Sequence, residues 1–156
     1  MTKKKSLIKI FFQEGQKFTL SNVQSTKGLV GLYLIYNATI SISYPFGASN
    51  LIYIGMSERK TNSIGKRLQG HLDGSSGNVG ITSYRNANNL LFTYINFKML
   101  AQNWPLGIEP LESYFITSFV DRYGVYPICN NKSGYDFSIN AAPTDLEIDW
   151  EFFENE

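Results

Sequence analysis

The stretch from position 31 to 55, GLYLIYNATISISYPFGASNLIYIG, does most to limit what this chain can fold into. Two alternating apolar runs are joined by a polar segment that turns near Pro45, Phe46 and Gly47, which is the pattern of a β-hairpin. In the first run the even positions Leu32, Leu34, Tyr36, Ala38, Ile40, Ile42 and Tyr44 form the apolar set. The odd positions, Tyr33 among them, form the wetter one. In the second run Ile52, Ile54 and Met56 are the apolar set, which leaves Tyr53 opposite. Side chains alternate faces along a strand, so Tyr33 and Tyr53 are expected to share one open face.

The rest of the chain reads as strands and helices around that hairpin. Residues 7–12 suit a short strand. TNSIGKRLQGHLD, at 61–73, suits a helix opened by a Thr/Asn/Ser cluster and stopped before Gly74. A glycine-rich loop at 74–80 leads to a short helix at 81–88 and a strand at 90–100. A last helix starts near Glu109 and Pro110 and stops at Gly124. This order implies an α+β fold, a small antiparallel sheet with helices packed on it. A chain of 156 residues is long enough for one domain with one core.

Helical spacing singles out three polar side chains. Ile64, Leu68 and Leu72 make an apolar stripe on the first long helix, and Arg67 and His71 sit one turn apart at its edge. On the last helix Leu111, Phe115, Phe119 and Tyr123 form the inward face, with Glu112 between Phe119 and Tyr123 on the same wheel. A carboxylate on an apolar face must be paired, protonated or metal-bound, because burying it bare is very costly. Arg67 or a hard divalent cation could serve it.

Charge narrows the partners. Residues 1–144 carry fourteen Lys and Arg against seven acids, a net +7, while residues 145–156 carry six acids. A basic body suits a polyanion such as nucleic acid. The acidic tail, with Trp150, Phe152 and Phe153, either folds over the basic body in imitation of DNA or stays solvated. A lone cysteine, Cys129, excludes an internal disulfide and a cysteine-based zinc cluster, and a lone histidine excludes a His-rich metal site. A free thiol and the lack of a long apolar run suit a cytoplasmic location.

In this order the residues resemble the GIY-YIG nuclease family. The two phrases are Gly31-Leu32-Tyr33, with Leu where Ile is usual, and Tyr53-Ile54-Gly55. Arg67-x-x-x-His71, the helix glutamate Glu112 and the Pro127-x-x-Asn130 loop follow. Arg59 is an alternative to Arg67, and Asn131 to Asn130. The resemblance covers residues 28–132, flanked by an N-terminal extension at 1–27 and a C-terminal extension at 133–156. It implies a central three-stranded antiparallel sheet flanked by helices, and metal-dependent hydrolysis of phosphodiester bonds in DNA.

Carried over residue by residue, the resemblance makes Tyr33, Tyr53, Arg67, His71, Glu112 and Asn130 the catalytic set. Glu112 would hold Mg²⁺ or Mn²⁺, and Arg67 the phosphate. Tyr33 would act as a phenolate-like general base, its pKa lowered by Arg67, the metal and His71, with His71 as an alternative proton relay. Asn130 would brace the site. Lys66, Arg59 and Lys60 are candidates to hold the DNA backbone. Restriction or defence, mobile-element and repair roles all fit, and a chain with one site that cuts both strands would dimerise. The alternative is a nucleic-acid-binding protein that keeps the scaffold and does not cleave.

Overall fold

The computed structural model describes residues 5–130 and 139–154. In chain order its elements are β1 (Ser6–Ile10), β2 (Gln16–Lys17), α1 (Leu20–Gln24), β3 (Gly31–Asn37), β4 (Ile42–Tyr44), β5 (Gly47–Ser49) and β6 (Leu51–Ser57). Then come α2 (Ile64–Asp73), α3 (Val79–Ala87), β7 (Leu90–Asn96), α4 (Ile108–Tyr123) and β8 (Thr144–Ile148). Short 3-10 turns lie at Phe97–Met99, Ile139–Ala141 and Trp150–Phe153. The architecture is mixed α+β. The central antiparallel sheet has the order β2-β7-β3-β6, four strands where three were expected. The addition is β2, whose Gln16 and Lys17 pair with Phe92 and Leu91. Two residues are too few for alternation to show in a sequence.

β3 lies inside the sheet between β6 and β7, and all seven of its residues are buried. From its even face the Tyr36 ring meets Phe153 at 5.2 Å, Phe153 meets Phe12 at 4.9 Å, and Phe12 meets Phe115 of α4 at 6.5 Å. On the odd face Tyr33 bonds to His71 of α2. The strand is therefore covered on both sides, and the open face expected for Tyr33 does not exist; its exposure is 1 %. A strand buried on both faces keeps its polar atoms only by pairing them. Asn37 does so by donating from Nδ2 to Asn88 Oδ1 at 3.1 Å.

The same Asn37 ends the strand. Its Oδ1 accepts the N–H groups of Thr39 at 2.7 Å and Ile40 at 3.0 Å, which turns the chain away from the sheet. The expected long first strand is thus two pieces, β3 and β4. β4 and β5 pair with each other around the expected turn, with Tyr44 opposite Gly47. Tyr44 donates to the Leu51 carbonyl at 2.6 Å and packs edge-on against Phe119 at 5.1 Å, tying this hairpin to β6 and α4.

α2 begins where its capping cluster places it, with Ser63 Oγ accepting the Lys66 N–H. Ile64, Leu68 and Leu72 are buried, as their spacing requires. Gly65 lets the first turn close on another backbone: a Cβ there would lie 2.6 Å from Lys27 N and 2.8 Å from Thr26 C. On α4 Leu111, Phe115, Phe119 and Tyr123 are all buried, and the helix ends at Gly124.

The described part of the acidic tail is built into the fold. β8 pairs in parallel with β1, from Ser6 opposite Thr144 to Ile10 opposite Ile148. Trp150 and Phe153 are buried, and Trp150 Nε1 donates to Ser118 Oγ of α4 at 2.9 Å. Three tail acids face cations: Asp145 with Lys5, Glu147 with Lys9 and Glu154 with Arg122. Glu154 also accepts from the Tyr123 hydroxyl; together with Arg122 this outweighs burial and holds its carboxyl below the usual range. Residue Glu156 lies outside the described residues.

Candidate active site

Hairpin register and one glycine set the first wall of the site. Tyr33 of β3 stands opposite Gly55 of β6, and Ile35 stands opposite Tyr53. The missing side chain at Gly55 is the seat for the Tyr33 ring: a Cβ there would lie 2.5 Å from the Tyr33 hydroxyl oxygen and 2.7 Å from its Cε2. Tyr33 can therefore lie over β6 with its hydroxyl toward α2. The glycine of the second phrase is present because of the tyrosine of the first.

α2 supplies the second wall. The Tyr33 hydroxyl and His71 Nε2 are 3.0 Å apart, and the Tyr53 ring packs against the His71 ring with centroids at 4.9 Å. The rings of Tyr33 and Tyr53 are 6.0 Å apart. The far nitrogen of His71, Nδ1, lies 2.8 Å from Ser76 Oγ in the glycine-rich loop. Tyr33 and His71 are buried, Tyr53 is half-buried, and Arg67 is exposed one turn before His71.

The electrostatics connect these groups to α4. Burial pushes the Tyr33 hydroxyl well above the ordinary tyrosine value; Tyr53 and Glu112 add to this, and the Arg67 guanidinium opposes it. Tyr53 is raised as well, first by burial and then by Glu112, against Tyr33 and Arg67. His71 is driven down to about 4, by burial first and by Arg67 second. Arg67, His71, Glu112 and the two tyrosines thus form one electrostatic unit, drawn from β3, β6, α2 and α4. Arg67 by itself does not lower the Tyr33 pKa, because burial outweighs it. Nor is His71 a cation that could help; it is neutral at physiological pH.

Asn130 sits apart from this unit and grips its wall. Its Oδ1 accepts the Ile54 N–H at 3.0 Å and its Nδ2 donates to the Ile54 carbonyl at 2.9 Å. β6 is an edge strand, and the amide replaces a neighbouring strand at one residue. Asn131 lies outside the described residues.

Two clefts flank the site and share Thr61. One, of about 350 Å³, is lined by Arg67, Arg59 and Glu58 among others, so the two arginines face the same cleft. The other, of about 400 Å³, is lined by Lys66, Lys60 and Lys27. Lys27 was not singled out from the sequence; the backbone approach at Gly65 brings it beside α2. Ser76 was also missed, and its one sequence signal is its place between Gly74 and Gly77 after a helix histidine.

Among the described residues, no three or more His, Cys, Asp and Glu side chains gather to hold a metal ion. No helix among them is long and apolar enough to cross a membrane. No family model, no curated protein and no solved structure matches the chain.

Proposed function

We propose that this chain is a GIY-YIG-type endonuclease that hydrolyses phosphodiester bonds in DNA. The observation that carries the reading is the hydrogen-bonded Tyr33–His71 pair, with Tyr53, Arg67 and Glu112 in electrostatic reach of it and two cation-lined clefts beside it. A single carboxylate fits a hard dication that keeps most of its waters and takes its remaining ligands from substrate phosphate; it does not fit a metal that needs several His or Cys ligands. Glu112 would hold Mg²⁺ or Mn²⁺. Such an ion supplies Lewis-acid polarisation of the phosphate and stabilises the leaving oxygen.

The residues of the chain do the rest. Arg67 binds the scissile phosphate, its planar fork matching two phosphate oxygens, with Arg59 beside it in the same cleft. Tyr33 is a conduit rather than a preformed phenolate. As water attacks, its proton passes to the Tyr33 oxygen while the Tyr33 proton passes to Nε2 of neutral His71. Tyr53 packs on the His71 ring and holds it against Tyr33. Asn130 keeps the Ile54 backbone, and with it Tyr53 and Gly55, in register.

The test is cleavage of supercoiled plasmid and branched DNA with Mg²⁺ or Mn²⁺, wild type beside Glu112→Gln. Wild type should cut and the variant should lose at least a hundredfold in rate. Equal cutting by both would remove Glu112 from the mechanism. Salt-sensitive DNA binding with no cutting in either metal would replace the nuclease reading with a binding protein on the same scaffold.

A further inference from the structure

We propose that Ser76 is a positioning residue: its hydroxyl oxygen takes the Nδ1 proton of His71, fixing the tautomer in which Nε2 is bare and faces Tyr33. The catalytic half of this rests on the nuclease reading; the tautomer does not.

The geometry presents one imidazole proton between two hydroxyls, Tyr33 at 3.0 Å from Nε2 and Ser76 at 2.8 Å from Nδ1. Chemistry decides which end receives it. A phenol, with reference pKa near 10, is a far stronger acid than an alkyl alcohol, so it is the better donor; the alkyl oxygen is the better acceptor. Burial points the same way. Tyr33 is wholly buried, and donating to Nε2 satisfies its hydrogen. Ser76 is exposed, so its own hydrogen can go to water. In the reverse arrangement Nε2–H points at the phenol oxygen, and the Tyr33 hydrogen must turn to the Tyr53 oxygen instead.

The loop is shaped to present the Ser76 oxygen. The Ser76 N–H donates to the Gly70 carbonyl in the last turn of α2 at 3.0 Å, folding the loop back on the helix. The Gly77 N–H closes on the Gly74 carbonyl at 3.1 Å. The Asn78 N–H donates to Ser76 Oγ at 3.3 Å, which occupies one lone pair and leaves the other for His71. With Nδ1–H held at Ser76, a proton arriving from Tyr33 at Nε2 gives an imidazolium with a partner at both nitrogens. The neutral ring that burial enforces has one bare nitrogen, and this arrangement puts it on the side that needs it.

His71 is the only histidine, so ¹⁵N-histidine labelling of the full chain gives one ring to read. At pH 7.5 wild type should show a protonated Nδ1 and a bare Nε2. Ser76→Ala should move the two ring nitrogens toward each other as tautomers mix, and lower kcat roughly tenfold with KM unchanged. Ser76→Thr should restore both. Because Ser76 is exposed, the alanine variant leaves the core intact. A protonated Nε2 in wild type overturns the assignment. Unchanged ring signals in Ser76→Ala overturn the role of Ser76, and shifted signals with unchanged kcat overturn its link to catalysis. A wild type that cuts no DNA defeats the nuclease reading alone, while the ring signals still decide the tautomer.

Discussion

Gly55→Ala tests the geometry of the site without replacing a reacting group. The added methyl would stand 2.5 Å from the Tyr33 hydroxyl oxygen and 2.7 Å from Cε2. Heavy atoms settle at about 3.5–4.0 Å, so the ring must retreat by roughly 1 Å. The Tyr33–His71 bond is already 3.0 Å long and fails beyond about 3.2–3.5 Å. Overpacking costs about 1–3 kcal/mol, and a broken buried hydrogen bond about 1–3 kcal/mol. We expect a loss of about 2–4 kcal/mol in urea denaturation, and a drop in Tm of roughly 5–12 °C. Gly70→Ala is the control: a Cβ there meets nothing nearer than Ser75 Oγ at 3.5 Å, so it should stabilise α2 by about 0.5–1 kcal/mol. In a Tyr33→Ala background the Gly55 substitution should cost under about 0.5 kcal/mol, since the ring it strikes is gone. Equal costs in both backgrounds would refute the seating of Tyr33 on Gly55.

Three further outcomes follow from the same contacts. His71 has a folded pKa of about 4 against 6.5 unfolded, so the unfolded chain takes up its proton first; stability is full above pH 6.5 and is lost as pH falls to 4. The stability gap between wild type and His71→Asn should therefore shrink or invert by about 3 kcal/mol between pH 7 and pH 4, and a constant gap would mean that His71 titrates in the fold as it does unfolded. Asn130→Ala leaves the Ile54 N–H and carbonyl without their side-chain partners on an edge strand, and should cost about 2–4 kcal/mol in urea denaturation. In a Glu112→Gln background, Lys27→Ala, Lys60→Ala and Lys66→Ala should each lower the slope of log K against log salt for DNA binding by roughly 0.9, and Lys9→Ala, on the β1–β8 ladder, should leave it unchanged.

The sequence carried the local elements well and the long-range ones poorly. α2 and α4 were legible because each has a periodic apolar stripe and a stop at Gly74 or Gly124. The partners of Tyr33 were also legible, since Arg67, His71 and Glu112 each stand out against an apolar stripe. What failed was the assignment of faces. Alternation made Tyr33 wet because its face also holds Asn37 and Thr39, yet helix packing buries that face as well. β2 and the β1–β8 ladder depend on pairings across most of the chain, and no local pattern records them. Ser76 and Lys27 reach the site through backbone approaches at Gly70 and Gly65, which a linear reading has no means to see.

Burial has a consequence for how the site would be switched on. Burial raises the Tyr33 phenol and lowers the His71 imidazole to about 4, so moving a proton from one to the other in the resting site is unfavourable. The pair alone is no base. One opposite charge at contact distance is worth roughly 4 kcal/mol in a partly screened site. A phosphate near His71 favours the imidazolium, and positive charge near Tyr33 favours the phenolate, so the gap closes when both are supplied together. Arg67 cannot do this by itself, because the cation that helps Tyr33 also depresses His71. Under the proposed nuclease reading, the arrangement would keep water activation off until a phosphodiester lay in the Arg67 cleft, and the substrate's own charge would become part of the base that attacks it.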